Sequence, residues 1–192
     1  MGGTPTKLVN PAVFLKPNSS VIPINGVIIK PKMVKELHHE VELGVIISKQ
    51  AKRIKASDWK SYVQGYCVGL DMTARDLQAQ AKKDGMPWTL GKCWDTFTGL
   101  STMIPVNQIP DPHNIELWLK VDNQLRQKGS TNEMMAQIPE LLEYISSVMT
   151  LEKGDVILTG TPEGVGPVEP GNIITAGITG LMEMRVPVVA ET

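Results

Sequence analysis

The apolar positions of this chain come in short bursts, and the residues that interrupt them set the architecture. Residues Ile115 to Val121 (IELWLKV) alternate apolar and polar, the period of a strand with one buried face. Val41 to Ile47 reads as a second strand, and Gly65 to Met72 as a third, with Cys67, Val68 and Leu70 inside it. The short apolar run Val156 to Thr159 is a fourth. Asn172 to Val189 reads as two final strands broken at Thr179 and Gly180.

Three segments carry helical spacing instead. Ser57 stands where it can cap a short helix bearing Trp59 and Tyr62. A second helix runs from about Ala74 to Lys83, with Gly85 where a helix-ending glycine belongs. A third starts near Pro139, a residue suited to a first helical turn, and its Leu141, Leu142, Ile145, Val148 and Met149 form one apolar stripe. Fourteen prolines and seventeen glycines cut the remainder into short pieces, which favours β-rich architecture over a helical bundle. No repeat, low-complexity tract or linker divides the chain. The expectation is one domain over residues 1–192, mainly β with a few short helices.

Composition and charge narrow the function. At 192 residues the chain can bury roughly 70% of its unfolded surface, so it needs no disulfide or structural metal merely to fold. Its net charge of −1 gives no field that would draw it to nucleic acid or a membrane, and neither is expected as a partner. Lys30, Lys32 and Lys35 read as a solvated loop. Cys67 and Cys93 are too few and too far apart for a zinc ribbon, and are expected to be two reduced thiols. No apolar run approaches the roughly 20 residues of a membrane-spanning helix. The opening MGGTPTKLVNPAV has neither a signal peptide's apolar core nor an Arg-rich amphipathic pattern. Met1-Gly2 with Thr6 formally matches a myristoylation signal, but in a generic context. The glycines of TGTPEGVG make neither GxxxxGK[ST] nor a GxGxxG opening a helix, which removes kinases, GTPases and dehydrogenases. His38 and His39 precede a strand and His113 lies in a Pro-rich loop; loop packing or exposure is expected for all three.

The segment HHEVELGVII, residues 38 to 47, holds the candidate chemistry. On a strand Glu40 and Glu42 point the same way, while Val41 and Leu43 point the other. Two carboxylates side by side repel one another and resist burial. The face is open to water, or one group is protonated, or a cation sits between them. Exposure is the ordinary outcome, because charged residues are seldom fully buried. Asp71, in GLDMTARDLQ at the end of a predicted strand, adds a third carboxylate. Three carboxylates without a His or Cys cluster suit a hard cation, Mg²⁺ or Mn²⁺, with Ca²⁺ a weaker fit and zinc a poor one.

HHEVELGVIIS, LDMTARDLQ, PWTLGK and GDVILTGTPEGVG, in that order and at these spacings, resemble the fumarylacetoacetate hydrolase family. The likeness runs from about Phe14 to near the C-terminus, and is closest to short single-domain members, the acylpyruvases that also act as oxaloacetate decarboxylases. The resemblance implies a mixed β-sandwich roll assembled as a homodimer, with Mg²⁺ or Mn²⁺ in the site and a small 2-oxo acid as substrate. It implies Glu40, Glu42 and Asp71 as metal ligands, and Lys92 of PWTLGK as a catalytic lysine beside the metal. It further implies Arg75 and Gln78, three apart on the second helix, and Thr161 of TGTP as substrate contacts. Such a site suits acylpyruvate hydrolysis, oxaloacetate decarboxylation or keto–enol tautomerisation through a stabilised enolate.

One departure matters. Full-length acylpyruvases resembling this chain carry, upstream of the segment matching FLKP (Phe14 to Pro17), a His-x-x-Glu pair on a lid that activates water. The thirteen residues before Phe14 contain neither His nor Glu, so the expectation is a shortened N-terminus without the lid dyad. Losing a general base typically costs roughly 10² to 10⁴ in rate, which puts hydrolysis most at risk. The alternative expectation is a catalytically impaired metal and oxo-acid binder. The family places such proteins in mitochondria or cytosol, although no targeting peptide is visible here.

Overall fold

The computed structural model describes residues 11–22 and 25–192. The opening ten residues, and with them the Met1-Gly2 and Thr6 reading, lie outside the described residues. The strands are β1 Val21–Ile22, β2 Ile28–Lys30, β3 Leu37–His39, β4 Val41–Ile47, β5 Val63–Asp71, β6 Thr73–Ala74 and β7 Thr98–Leu100. They continue with β8 Ile104–Pro105, β9 Glu116–Val121, β10 Gln124–Ser130, β11 Val156–Leu158, β12 Gly166–Pro167, β13 Ile173–Ile178 and β14 Met182–Ala190. The α-helices are α1 Arg75–Asp84, α2 Thr89–Lys92 and α3 Ile138–Val148.

One sheet runs β1-β7-β5-β4-β11, with β8 also pairing β5; a second runs β10-β9-β13-β14-β2; a small third runs β12-β3-β6. Most pairs are antiparallel, but β1 with β7 and β14 with β2 are parallel, so the sheets are mixed. Leu43, Val45 and Leu70 of the first sheet share one apolar cluster with Leu119, Ile174 and Ala176 of the second. The two central strands of the first sheet, β4 and β5, are buried on both faces, whereas β9 alternates buried and half-buried residues as its sequence pattern requires.

The predicted strands stand within a residue or two of their observed limits, and the last two break at Thr179 to Leu181. Gly85 closes α1 at φ 65°, in the left-handed region that glycine occupies without a Cβ penalty. Other expectations need correction. The turn carrying Trp59 and Tyr62 is a 3₁₀ segment, Ala56–Tyr62, preceded by Lys55; Ser57 lies inside it and donates to Asp58 Oδ1 at 2.9 Å rather than capping it. In α3 the buried face is centred on Ile138, Leu142 and Ile145 and turns towards Ser146, whose Oγ receives the Ile54 amide at 3.1 Å. Val148, at the margin of that face, is 65% exposed. His38 and His39 belong to β3 rather than to a loop, and His39 is fully buried. Lys30 lies in β2 with its ammonium 2.7 Å from Glu169, while Lys32 and Lys35 are solvated. Cys67 and Cys93 are free thiols. Among the described residues no helix is long and apolar enough to cross a membrane.

Candidate active site

The site grows out of the pairing of β4 with β5. Their antiparallel register sets Val41 opposite Leu70 and Glu42 opposite Gly69, and the Asp71 amide donates to the Glu40 carbonyl at 2.9 Å. Strand alternation puts Glu40 and Glu42 on one face, and the register brings Asp71, the last residue of β5, beside them. Each carboxylate offers an oxygen, and these oxygens all lie within 4.8 Å of one another. The exposures of Glu40, Glu42 and Asp71 are 7%, 5% and 2%, which removes the open face from the three alternatives and leaves a protonated carboxyl or a cation. The reason is tertiary: Arg75 and Lys92 lie against Glu40, Lys92 and Lys16 against Asp71, and the Gly160 amide against Glu42, so the face that carries the three carboxylates is covered.

Burial at this distance forces the carboxylates into different states. Burial raises the Glu42 carboxyl to about 8, the neighbouring Asp71 and Glu40 charges push the same way, and the Gly160 amide, donating to Oε2 at 2.6 Å, opposes them. Burial would also raise Glu40, but the cations of Lys92 and Arg75 together outweigh it and hold Glu40 below the usual range. Lys92 Nζ lies 2.8 Å from Glu40 Oε2 and also donates to Asp71 Oδ2. Arg75 Nη2 lies 2.5 Å from Glu40 Oε1. Among the described residues, Glu42 has no ion pair.

Short local devices seat the cations. Arg75 opens α1, and its Nη1 donates to Gln78 Oε1 at 2.7 Å, the contact that a spacing of three on a helix allows. Gln78 is thus buried and engaged with Arg75. Lys92 closes the one-turn α2, which lies so near α1 that a Cβ on Gly91 would stand 2.9 Å from Gln78 Cβ. Glycine there lets the turn approach and delivers the lysine, 2% exposed, between two carboxylates. The Thr161 hydroxyl donates to the Val41 carbonyl at 2.8 Å and receives Gln127 Nε2 at 2.8 Å. The structure therefore gathers Glu40, Glu42, Asp71, Lys92, Arg75 and Gln78 into one network, with Thr161 laced to the strand between the two glutamates.

Lys16, with its neighbour Phe14, and Gln127 escape the sequence reading of this network. Lys16 Nζ lies 2.7 Å from Asp71 Oδ1 and donates to the Lys92 carbonyl at 2.6 Å. Phe14 lays its ring 4.9 Å from Lys92 Nζ and 5.8 Å from the Trp88 ring, so the FLKP segment straps across the site. A lone lysine between apolar residues and a proline was the available signal. Gln127 is the other; it sits in QLRQKGS, where nothing in the spelling marks it as buried.

Residues 3–189 match the family model described as Fumarylacetoacetate (FAA) hydrolase C-terminal, and the chain belongs to this family. Among its relatives is a protein of Oryza sativa subsp. japonica named "Oxaloacetate tautomerase FAHD2, mitochondrial", 56% identical over 178 residues that cover 91% of this chain and 79% of the relative. Another, from Dictyostelium discoideum, is named "Oxaloacetate decarboxylase, mitochondrial" and is 52% identical over 89% of this chain and 79% of its own length. A solved structure of fumarylpyruvate hydrolase from Pseudomonas aeruginosa in complex with Mn²⁺ and pyruvate matches with a TM-score of 0.89 at 36% identity, covering 93% of this chain and 78% of that one.

Proposed function

We propose that this chain is a divalent-metal-dependent enzyme on small 2-oxo acids, with keto–enol tautomerisation of oxaloacetate as its principal reaction. Oxaloacetate decarboxylation and acylpyruvate hydrolysis are the related reactions of the same site. The observation that carries the reading is the buried cluster of Glu40, Glu42 and Asp71, with oxygens within 4.8 Å. The cluster fits a hard dication: its donors are all carboxylate oxygens, and Glu42 holds a buried carboxylate without an ion pair among the described residues. Mg²⁺ and Mn²⁺ both suit it, and the relative bound to Mn²⁺ and pyruvate supports a 2-oxo acid beside such an ion.

A dication held by these carboxylates supplies Lewis acidity to the carboxylate and keto oxygens of a 2-oxo acid. The chain's own groups do the rest. Lys92, seated between Glu40 and Asp71, adds positive charge beside the oxygen that becomes negative as the enol forms. Arg75, braced by Gln78, presents a guanidinium for the substrate's carboxylate. Thr161, whose hydroxyl proton is held by the Val41 carbonyl, keeps the turn that carries the Gly160 amide against the strand of Glu42. The strap of Phe14 and Lys16 shields this face from water.

Relatives named as oxaloacetate tautomerases and an oxaloacetate decarboxylase speak against an impaired binder. They also support a mitochondrial location, the family match over residues 3–189 supports a single domain, and the resemblance supports a homodimer. Purified protein with Mn²⁺ or Mg²⁺ should accelerate enol–keto exchange of oxaloacetate, followed by ultraviolet absorbance of the enol, and Lys92→Met should lose roughly 10²-fold or more. Metal-loaded protein that changes neither this exchange nor decarboxylation above background would end the reading. Light scattering should give about twice the 21.0 kDa chain mass.

A further inference from the structure

Gln127 is the one buried residue of β10, 1% exposed in a strand otherwise open or half-open. The register of β10 against β9 shifts between Leu125 and Gln127, so Arg126 is an extra residue and the strand bulges there. A bulge re-aims the side chain that follows it, and here it turns a polar residue inward.

Four hydrogen bonds saturate the amide. Oε1 receives the Val41 amide at 3.1 Å and meets His39 Nδ1 at 2.9 Å; Nε2 donates to Thr161 Oγ1 and to the Pro162 carbonyl, both at 2.8 Å. The assignment is forced. The Val41 N–H can only donate, so the atom facing it is oxygen, and the Pro162 carbonyl can only accept, so its partner is nitrogen. His39 consequently carries its proton on Nδ1. The Thr161 hydroxyl, receiving from Nε2, directs its own proton to the Val41 carbonyl at 2.8 Å.

This amide joins two parts of the molecule. β10 belongs to the second sheet, whereas Val41 starts the first-sheet strand that carries Glu42. The loop 159–162 is stitched to β4 along one side: Thr159 to the Leu43 carbonyl, the Gly160 amide to Glu42 Oε2 at 2.6 Å, and Thr161 to the Val41 carbonyl. Gln127 holds the other side at Thr161 and Pro162. The contact is close throughout, since a Cβ on Gly129 would stand 2.6 Å from Pro162 Cβ.

We propose that Gln127 is a positioning residue for the reaction, fixing where the Gly160 amide and the Thr161 hydroxyl stand relative to Glu42. The link to reaction rests on the functional reading above; the link to Gly160 does not. Gln127→Glu keeps both contacts of Oε1 and reverses the donor pair, so it is the informative substitution. In the variant the Gly160 amide resonance of ¹⁵N-labelled protein should move, and kcat on oxaloacetate should fall roughly tenfold with KM and Mn²⁺ affinity within about twofold. A Gly160 resonance that stays in place overturns the proposal whatever the rate does. A displaced resonance with unchanged kcat in an active protein overturns it too. If the wild-type protein turns over neither oxaloacetate nor an acylpyruvate, the functional reading fails while a displaced Gly160 still supports the positioning role. Should Gln127→Glu not fold, wild-type protein decides: the Gln127 side-chain amide protons should exchange at least about 100-fold slower than those of exposed Gln108, and equal rates overturn the proposal.

Discussion

Among the described residues, Glu42 enters the interior with a single backbone amide on its carboxyl, while Glu40 and Asp71 beside it each hold ion-paired cations. A carboxyl that burial and two neighbouring charges raise to about 8 in the folded chain, but that ionises at its ordinary value in the unfolded one, costs folding energy near neutral pH. Glu42→Gln keeps an oxygen for the Gly160 amide and removes the titrating carboxyl. In chelator the variant should therefore be at least as stable as wild type, with a gain of about 1 kcal/mol in thermal unfolding. Its Mn²⁺ affinity by calorimetry should fall by at least about tenfold. A destabilised variant with undiminished affinity would show that Glu42 is structural and not a ligand.

At the scale of elements, glycines with the same backbone sign separate two demands. Gly85 ends α1 at φ 65° with open space where a Cβ would go, so Gly85→Ala should cost only about 1 kcal/mol for the left-handed conformation. Gly164 stands at φ 94°, and a Cβ there would collide with the Arg126 carbonyl at the β10 bulge. Gly164→Ala should cost on the order of 3 kcal/mol and loosen the loop that reaches Glu42, as urea unfolding of the pair would report. Helix α3 offers a second comparison. Leu142→Ala removes a fully buried side chain and should cost roughly 2–5 kcal/mol, whereas Val148→Ser, at a position 65% exposed, should stay within about 0.5 kcal/mol. Equal costs would mean that the stripe read from the sequence packs along its whole length.

Across the whole molecule the three carboxylates tie the ends of β4 and β5 to α1, α2 and the Lys16 strap. An ion that bridges them binds the folded chain and has no preformed site in the unfolded one. Mn²⁺ at about 100 times its dissociation constant should add about 2.7 kcal/mol, which raises Tm by roughly 5–10 °C for a chain of this size. Differential scanning calorimetry with and without chelator checks this, and Glu42→Gln should lose most of the shift. A metal-independent Tm would remove the ion from the account of this fold.

How much of this was legible in the sequence follows from the range of the forces involved. Strand alternation paired Glu40 with Glu42, helix spacing paired Arg75 with Gln78, and a glycine marked the end of α1; each is local geometry that a few residues determine alone. The ordered motifs added the family, and with it Lys92 and the placing of Asp71 beside the two glutamates. Whether the glutamates faced water was beyond that reach, because it depends on what covers their face: Arg75, Lys92 and the loop carrying Gly160, the last 118 positions from Glu42. The same holds for Lys16, which meets Asp71 across 55 positions, and for Gln127, whose inward turn comes from a bulge against β9. Residue type and spacing determined which groups this protein could bring to one site. Only the packed sheets decided that those carboxylates would be dry, close together and unequally charged, since burial and proximity are properties of the assembled fold.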